Sequence, residues 1–510
     1  MSIEPALAGR VRTRSVLWRS GLLLGVLLLA AGVLGIGYAG RGLHSVSVRV
    51  DGVPVEIVRP VGGGAGRPAV VVAHGYAGSG RLMRPFADTL VRRGYVVALP
   101  DLAGHAANPR PLAGEDELDR ELAGVVRYVR DLSGVDPARV ALLGHSMGAA
   151  AVVRVGSADP SIAATVAISL GDGAAAALQP GPRRLLLIVG ALEPAGIRSV
   201  AQAALDGDAG RRMVRVGFAE HVGVLYADRT HAEAARWLDD ALRNRPEQPV
   251  IAAKGRVTAG GLCLVGMLLL VIAGLVRPSV RRAPPIRDSL APPARARLAW
   301  LAGAVAVAPV PGLVGGWLAA RTLPAPVCGY LVGYFAFAGA TLAAVAVVAR
   351  RIHARAAEGD AHGVTGTRQR PDAPWRAAAA TIGLAVAGIA AVVVPVHLGL
   401  TSAVPYGSRW WLTVLLVLAT AALLGGAHAV ARPPWSIGVL AAVCLPVPVA
   451  AIVGLAPGFL TLVTPLIAGL LALYLLLAGV ASLTGTPWFR TIPAGALLVA
   501  WPVATSLPIT

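Results

Sequence analysis

Two kinds of hydrophobic pattern divide this chain. Short apolar runs alternate with amphipathic stretches between about residues 44 and 249, whereas longer apolar runs occupy the start of the chain and the part after residue 255. A helix needs roughly 20 consecutive apolar residues to cross a bilayer. The long runs therefore predict membrane-spanning helices, and the short runs predict a separate folded domain between the first two of them.

The first long run, Leu17–Tyr38, follows an arginine-rich start of the chain. That basic flank also occurs in cleaved signal peptides, but this apolar core is long for one and no clear small-residue cleavage site precedes His44. We expect an uncleaved signal anchor, with a cleaved signal peptide as the alternative. Further spans are predicted near 257–276, 298–319, 327–349, 377–400, 411–430, 436–455, 458–481 and 491–508. The total is about nine, or eight if the short, proline-containing last run lies only at the interface.

The region between the first two spans has the pattern of an α/β domain. Strand candidates are Val46–Val58, Ala69–Ala73, Tyr95–Leu99, Val140–Leu143, Ala163–Ser169, Leu185–Val189 and Met213–Phe218. Helical candidates lie between or after them at Arg81–Arg93, Glu115–Leu132, Met147–Gly156, Ile197–Leu205 and His231–Leu242. The later strand candidates are continuously apolar, as strands buried on both faces are. This alternation predicts a mostly parallel sheet covered by helices.

The charge distribution gives the chain its topology. The 510 residues carry a formal net charge of +19, which by itself could indicate nucleic-acid binding. Residues 44–249, however, contain 23 Arg and 22 acidic residues, a net charge of +1, so the basicity lies in the apolar parts. Counted over alternate loops, 18 Lys and Arg fall on one side of the spans and 5 on the other. Because the more basic loops face the cytoplasm, we expect a cytoplasmic amino terminus and an extracytoplasmic domain in the plasma membrane.

The predicted organisation has three parts. Residues 1–43 form the basic amino terminus and signal anchor, residues 44–249 form the α/β domain, and residues 250–510 form a multi-pass region of seven or eight helices. The three cysteines all lie in apolar spans, so no disulfide framework is expected in the exported domain. No metal or cofactor site is predicted.

The chemistry centres on the segment Gly144-His145-Ser146-Met147-Gly148, a G-x-S-x-G sequence. An apolar strand candidate runs directly into it, and a helix of small residues leaves it. In this context the two glycines allow a sharp turn that presents the serine hydroxyl at the tip of the sheet. Ser146 is therefore the candidate nucleophile.

A serine nucleophile needs a base, and the base needs an orienting acid, in the chain order Ser, acid, His for this type of sheet. Glu193 follows one downstream strand candidate and is the favoured acid, although Asp172, after the preceding strand, remains an alternative. His221 follows the last strand candidate and is the favoured base. The rival base, His231, begins the last helix, where a solvated or capping role is more ordinary.

Acyl transfer also needs donors for the developing oxyanion. The backbone N–H of Met147, which follows the nucleophile, is one candidate, and the N–H of Tyr76, in the loop after an earlier strand, is the other. His74 in that loop is interpreted as a structural residue that holds the loop.

Taken together, these segments resemble the α/β-hydrolase superfamily over about 200 residues. The stretch "VVVAHGYAGSGRLMRPFADTLVRRGYVVALPDLAGHAANP" is similar to the family's HG loop, first helix and D-x-x-G-H segment; GHSMG matches its nucleophile elbow, and "HVGVLYADRTHAEAARWLDDAL" its closing histidine and helix. The resemblance implies Ser146, His221 and Glu193 as a triad, with Tyr76 and Met147 as oxyanion donors. A glutamate is less common than an aspartate as the acid. The short connection at 170–183 implies a compact, open site of the dienelactone-hydrolase or small-esterase kind.

The favoured function is a membrane-anchored, extracytoplasmic serine hydrolase of esters, with lipid or acyl substrates because the domain is tethered close to the bilayer. Two alternatives remain: a non-catalytic transport or assembly protein with a hydrolase-like binding domain, and an acyltransferase that uses the same triad. None of the spans predicted after residue 255 contains Asp, Glu, Lys or Arg, which argues against an ion-coupled transporter. The expected partners are the bilayer and a small ester or acyl substrate; the sequence identifies no protein partner.

Overall fold

The computed structural model describes residues 4–62, 64–171, 173, 178–179, 181–205, 210–246, 250–276, 294–358, 374–431, 435–483 and 486–510. They form two compact units. The sheet unit comprises Ala30–Cys263, Pro395–Ser408 and Ser506–Thr510, and the helical unit comprises Met1–Leu29, Leu264–Val394 and Arg409–Thr505. The sheet unit contains the predicted α/β domain and the residues that flank it, together with two short later segments that the sequence assigned to the multi-pass region.

Within the described residues, the sheet unit contains an eight-stranded sheet of order β1-β2-β4-β3-β5-β6-β7-β8. Its strands are β1 Leu43–Val50, β2 Val53–Pro60, β3 Arg67–Ala73, β4 Val96–Pro100, β5 Val135–His145, β6 Thr165–Ile168, β7 Leu185–Gly190 and β8 Arg211–Val216. The pairs β1/β2 and β2/β4 are antiparallel, and every other neighbouring pair is parallel. The predicted mostly parallel sheet is confirmed.

Helices cover both faces of this sheet. They are α2 Arg84–Val91, α3 Glu115–Arg130, α4 Met147–Ala158, α5 Ala195–Ala203 and α6 Asp228–Ala241. Within β3, Val70 and Val72 pack with α2 and α6, whereas Ala69, Val71 and Ala73 pack with α3 and α4. Successive side chains of a strand point to opposite faces, so a continuously apolar strand needs cover on both sides. This double burial leaves the ends of the strands as the place for polar chemistry.

The prediction of one strand over Val46–Val58 is wrong. The chain reverses at Asp51 and Gly52, which have φ values of 49° and 87°, and forms the antiparallel hairpin β1/β2. An Asp-Gly pair adopts positive φ at both positions with little strain, which makes it a common two-residue hairpin turn. The apolar run on both sides of this turn concealed it.

The helical unit and the helices that enter it account for the long apolar runs. The helices are α1 Glu4–Ala39, α7 Gly255–Leu275, α8 Ala294–Val307, α9 Pro309–Thr322, α10 Pro326–Glu358, α11 Pro374–Gly399, α12 Arg409–Val430, α13 Trp435–Cys444, α14 Pro446–Ile452, α15 Leu460–Leu483 and α16 Ile492–Ser506. Eight stretches of the described chain are long and apolar enough to cross a membrane; α8 with α9, and α13 with α14, form one stretch each. The last predicted span corresponds to α16, which has 15 residues.

Small residues bring the helices of this unit together. A Cβ atom on Gly333 of α10 would lie 2.0 Å from the carbonyl oxygen of Gly315 on α9, and one on Gly339 would lie 2.4 Å from the backbone of Ala422 on α12. Helices in membranes associate through such close backbone approaches because lipid provides no hydrophobic driving force between them.

Candidate active site

The turn between β5 and α4 places Ser146 in a strained backbone conformation. Its φ and ψ are 53° and −115°, and α4 begins at the next residue. A Cβ atom on Gly144 would lie 2.2 Å from the carbonyl oxygen of Gly148, and one on Gly148 would lie 2.5 Å from that of His74. Both flanking positions therefore require glycine. Strain of this kind costs on the order of 1–3 kcal/mol and is typical of functional sites.

The loops after β7 and β8 bring two further side chains to Ser146. The Nε2 atom of His221 lies 3.1 Å from Oγ of Ser146, and its Nδ1 atom lies 2.7 Å from Oε1 of Glu193. Because the carboxylate only accepts, Nδ1–H of His221 donates to it and Nε2 is left to accept from the serine hydroxyl. The structure thus brings together the three residues that the sequence selected, from three separate loops.

Glu193 is held as a carboxylate. Its second oxygen accepts the backbone N–H of Gly190 at 2.7 Å, and its side chain is buried. Burial raises the pKa of Glu193, but the hydrogen bonds it accepts, chiefly from His221, outweigh burial and leave the pKa below its ordinary value. The alternative acid, Asp172, lies outside the described residues.

His231, the rival base, is a core residue. It is 1% exposed, its ring stacks on Phe86, and its Nε2–H donates to the carbonyl oxygen of Leu225 at 2.8 Å. Its Nδ1 accepts from the hydroxyl of Thr89 at 2.9 Å. The expectation of a solvated or capping histidine here is therefore wrong, because α6 turns this side chain towards the core instead of solvent.

The loop after β3 packs directly on the nucleophile turn. His74 donates from Nδ1 to the carbonyl oxygen of Gly75 at 2.8 Å and accepts the N–H of Leu102 at Nε2 at 3.0 Å. A Cβ atom on Gly75 would lie 3.2 Å from Cβ of Ser146. These contacts fit the structural interpretation of His74, and Tyr76, the next residue, lines the same cavity as Ser146 and Met147.

His145 is a residue to which the sequence analysis gave no role. Its Nε2–H donates to the backbone carbonyl oxygen of His221 at 2.9 Å, so it holds the loop that carries the candidate base. Burial, and then the nearby His221, lower the pKa of His145 to about 3, which keeps it neutral. The only signal was its place beside the nucleophile in the G-x-S-x-G segment.

A cavity of about 480 Å³ opens beside Ser146. Apolar side chains form most of its wall: Tyr76, Leu112, Leu118, Met147, Ala150 and Ile197. The two charged residues in the wall, Arg154 and Glu115, form an ion pair at 3.3 Å, and Arg154 also makes two bonds to the Asp119 carboxylate, at 2.7 and 2.9 Å. The cavity therefore suits a neutral, largely apolar group. Across the described ranges, no group of three or more His, Cys, Asp or Glu side chains could hold a metal ion.

Comparison with known proteins gives one family match and one partial relative. Residues 64–194 match the model of the serine aminopeptidase S33 family of hydrolases. An uncharacterized protein of Mycobacterium tuberculosis, found in two strains, is 37% identical over 102 residues, which are 20% of this chain and 35% of the relative. The chain thus aligns with about a third of the length of these curated relatives.

Solved structures similar to this chain include two of bacterial origin. Est1E from Butyrivibrio proteoclasticus, solved with bound ferulic acid, is 14% identical, with 39% of this chain and 99% of that chain covered and a TM-score of 0.36. Dienelactone hydrolase from Anabaena variabilis is 20% identical, with 41% and 100% covered and a TM-score of 0.33. The strand order, the nucleophile turn and the S33-family match confirm an α/β-hydrolase domain joined to multiple membrane-capable helices.

Proposed function

We propose that this chain is a membrane-anchored serine hydrolase that cleaves carboxylic esters of lipid or acyl-chain substrates outside the cytoplasm. The observation that carries the proposal is the continuous hydrogen-bonded line from Ser146 through His221 to Glu193. This line supports catalysis over the alternative of a hydrolase-like domain that only binds a ligand, which would not need it.

The proposed reaction uses this line as follows. Oγ of Ser146 attacks the ester carbonyl carbon while its proton passes to Nε2 of His221, and His221 then gives that proton to the departing alcohol. Water, deprotonated by the same nitrogen, attacks the acyl carbon; the bond to Oγ of Ser146 breaks, His221 returns the proton to Oγ, and the acid is released. Glu193 stays ionised throughout, holds the ring through Nδ1 and stabilises its transient positive charge.

The tetrahedral oxyanion would be stabilised by the backbone N–H groups of Met147 and Tyr76. Met147 is the first residue of α4, where N–H groups have no partner within the helix and the helix dipole favours negative charge. Tyr76 lines the same cavity as Met147. Two fixed donors in this position lower the energy of the transition state more than that of the substrate.

Exposed apolar side chains beside the triad support a lipid substrate. Leu192, next to Glu193, is 65% exposed; Val222, next to His221, is 47% exposed; and Phe218 is 99% exposed with a φ of 55°. A bulky residue with positive φ is rare. A hydrogen bond from the N–H of Leu192 to the carbonyl oxygen of Ala219 joins the two loops. The three exposed side chains, Leu192, Phe218 and Val222, form an apolar rim beside the triad. This rim would contact the acyl chains of a micelle or bilayer.

The proposed nucleophile is tested by labelling intact cells with a membrane-impermeant fluorophosphonate probe. We expect labelling of the wild type and of Ser199→Ala, whose serine lies on the exposed face of α5, and none of Ser146→Ala. Persistent labelling of Ser146→Ala would disprove the triad. Labelling only after permeabilisation would disprove the extracytoplasmic site.

The lipid substrate is tested by comparing a short soluble ester with a long-chain ester in mixed micelles. Phe218→Ser should reduce micellar turnover several-fold and leave soluble-ester turnover unchanged, because only the micelle engages the rim. Val61→Ser, which also replaces an exposed apolar residue, is the control. If wild-type protein cleaves only the soluble ester, the lipid assignment is wrong although the hydrolase assignment stands.

A further inference from the structure

Two segments far along the chain, Pro395–Ser408 and Ser506–Thr510, belong to the sheet unit. Each contacts a loop of the candidate active site. These contacts are hydrogen bonds to backbone groups and to a buried side chain. One set holds the loop that leads into the cavity wall, and the other holds the loop that carries Tyr76.

The first contact is made by the end of the chain. The N–H of Ile509 donates to the carbonyl oxygen of Gly104 at 3.0 Å, and the carbonyl oxygen of Ile509 accepts the N–H of Leu112 at 2.8 Å. Leu507 and Ile509 are 2% and 5% exposed. Ile509 thus pairs through both of its backbone groups, as a residue in a β ladder does, and bridges the two ends of the Gly104–Leu112 loop.

The contact with Ile509 requires a glycine at position 104. Its φ is +78°, and a Cβ atom would lie 2.6 Å from the carbonyl oxygen of Ile509. Leu112, at the other end of the loop, begins the stretch of cavity wall that continues through Ala113, Gly114 and Glu115. The position of this wall relative to Ser146 therefore depends on where the tail holds Leu112.

The second contact supports the loop that carries Tyr76. Oγ of Ser79 accepts the N–H groups of Leu82 at 3.2 Å and Ser402 at 3.3 Å, and it lies 2.9 Å from the hydroxyl of Thr401. A hydroxyl has two acceptor sites and one proton. With both acceptor sites used, Ser79 donates to Thr401. Ser79 is 1% exposed, so this bonding occurs in the interior.

We propose that the tail Leu507–Ile509 and the pair Thr401 and Ser402 are positioning elements of the active site: the tail sets the wall of the acyl cavity, and Thr401 with Ser402 sets the oxyanion loop. The inference rests on the proposed hydrolase function. It makes catalysis depend on parts of the chain that lie more than a hundred residues beyond the last triad residue, His221.

The two elements should have different kinetic signatures. Displacing the wall alters how the acyl chain is held, so it should raise KM most for long-chain esters. Displacing the oxyanion loop weakens an interaction made mainly in the transition state, so it should lower kcat with KM unchanged. A role confined to stability would produce neither pattern at temperatures where the protein remains folded.

The test uses the full-length protein in detergent micelles, with folding checked by its melting temperature. Ile509→Pro removes the N–H that Gly104 accepts and should raise KM for a long-chain ester about tenfold. Thr510→Ala, at the neighbouring exposed position, retains both backbone groups of Ile509 and should stay within about twofold of wild type. Thr401→Val should lower kcat about fivefold, and Thr401→Ser should restore it.

Two further measurements make the outcomes distinct. Combining Ser79→Ala with Thr401→Val should cost no more in kcat than Ser79→Ala alone, because Ser79→Ala already removes the bond to Thr401. If wild-type Ser146 is not labelled by a fluorophosphonate, the proposed function fails. If it is labelled and Ile509→Pro and Thr401→Val have wild-type kinetics, the hydrolase stands and the positioning inference is overturned. Should Ile509→Pro not fold, the Thr401 pair and the cycle decide.

Discussion

Glu193 is a charged residue in a buried position, where a carboxylate without hydrogen-bond partners would be destabilising. It is buried, yet it accepts hydrogen bonds from Nδ1 of His221 at 2.7 Å and from the backbone of Gly190 at 2.7 Å. The sequence could place this carboxylate only at a strand end, with Asp172 as a competitor. What selects it is its distance from His221, which depends on how two neighbouring strands align and cannot be obtained from one sequence.

We predict that Glu193→Gln leaves the fold intact and lowers kcat about 10³- to 10⁴-fold. An amide can favour the wrong tautomer of His221, and it cannot balance the positive charge that His221 carries during the reaction. Steady-state kinetics on a soluble ester measure this, with Asp116→Asn on the surface of α3 as the control. A variant that retains most of its kcat would show that another group orients His221.

His231 illustrates a residue whose type suggests chemistry but whose surroundings give it a structural role. Its two ring nitrogens bond to Leu225 and Thr89, and Thr89 in turn accepts the N–H of Ala252. The sequence indicated that it was not the base but not that it was buried, because a histidine at the start of an amphipathic helix can face either way.

Burial lowers the pKa of His231 from 6.5 to about 4. The unfolded chain therefore takes up a proton as the pH falls below 6.5, while the folded protein does so only near pH 4. Stability should be constant above pH 6.5 and decrease between pH 6.5 and about 4, by up to about 1.4 kcal/mol per pH unit from this group. We expect His231→Gln to make the pH dependence of Tm over this window less steep, with the contribution of buried His145 remaining, and His44→Gln, at an exposed position of β1, to leave it unchanged. An equally steep profile in both variants would assign the effect to other groups.

At the scale of elements, regular hydrophobic patterns predicted most of the fold. Strands β3 to β8 and helices α2 to α6 lie where continuous apolar runs and amphipathic stretches indicated them. The hairpin at Asp51 and Gly52 was missed because a turn of two residues interrupts the pattern too briefly. The nucleophile turn was found because its glycines, its strand and its helix occur together in one short segment.

The glycines of that turn give a direct test of its geometry. We predict that Gly148→Ala is strongly destabilising or inactive, because its Cβ atom would lie 2.5 Å from the carbonyl oxygen of His74 and 2.6 Å from that of Ala73. Gly196→Ala on α5, whose Cβ atom would meet nothing within 4 Å, should be neutral or slightly stabilising. Melting temperature and fluorophosphonate labelling measure both, and wild-type behaviour of Gly148→Ala would show that the turn can accommodate a side chain at this position.

At the scale of the whole molecule, the sequence separated a hydrolase-like domain from membrane-capable helices. It did not reveal that Pro395–Ser408 and Ser506–Thr510 belong to the sheet unit. Periodicity and composition report local structure. The bonds of Ser79 with Thr401 and Ser402, and of Ile509 with Gly104 and Leu112, join residues hundreds of positions apart and carry no pattern in either partner. Only the folded chain shows them.

The bonds of Ile509 also bear on whether the chain crosses the membrane an odd or an even number of times. From the sheet unit to its return at Pro395–Ser408, the chain passes through four membrane-capable stretches: Gly255–Leu275, Leu298–Thr322, Pro326–Ile352 and Ala378–Gly399. It next passes through three, namely Arg409–Val430, Trp435–Ile452 and Leu460–Ser482, before Ser506–Thr510 joins the sheet unit again. A chain returns to the same side of a bilayer only after an even number of crossings.

We propose that α16, among the described helices, supplies a further crossing. Its 15 residues, with the 3₁₀ turn Trp488–Thr491 before them, measure roughly 30 Å along the chain axis, about the hydrocarbon thickness of a bilayer. In a variant without its native cysteines, we expect an impermeant maleimide to label Thr510→Cys and Ser47→Cys on intact cells, and Phe489→Cys only after permeabilisation. Labelling of Thr510→Cys only after permeabilisation would contradict the ninth crossing. Nine is odd, so the two ends of this chain would lie on opposite sides of the membrane.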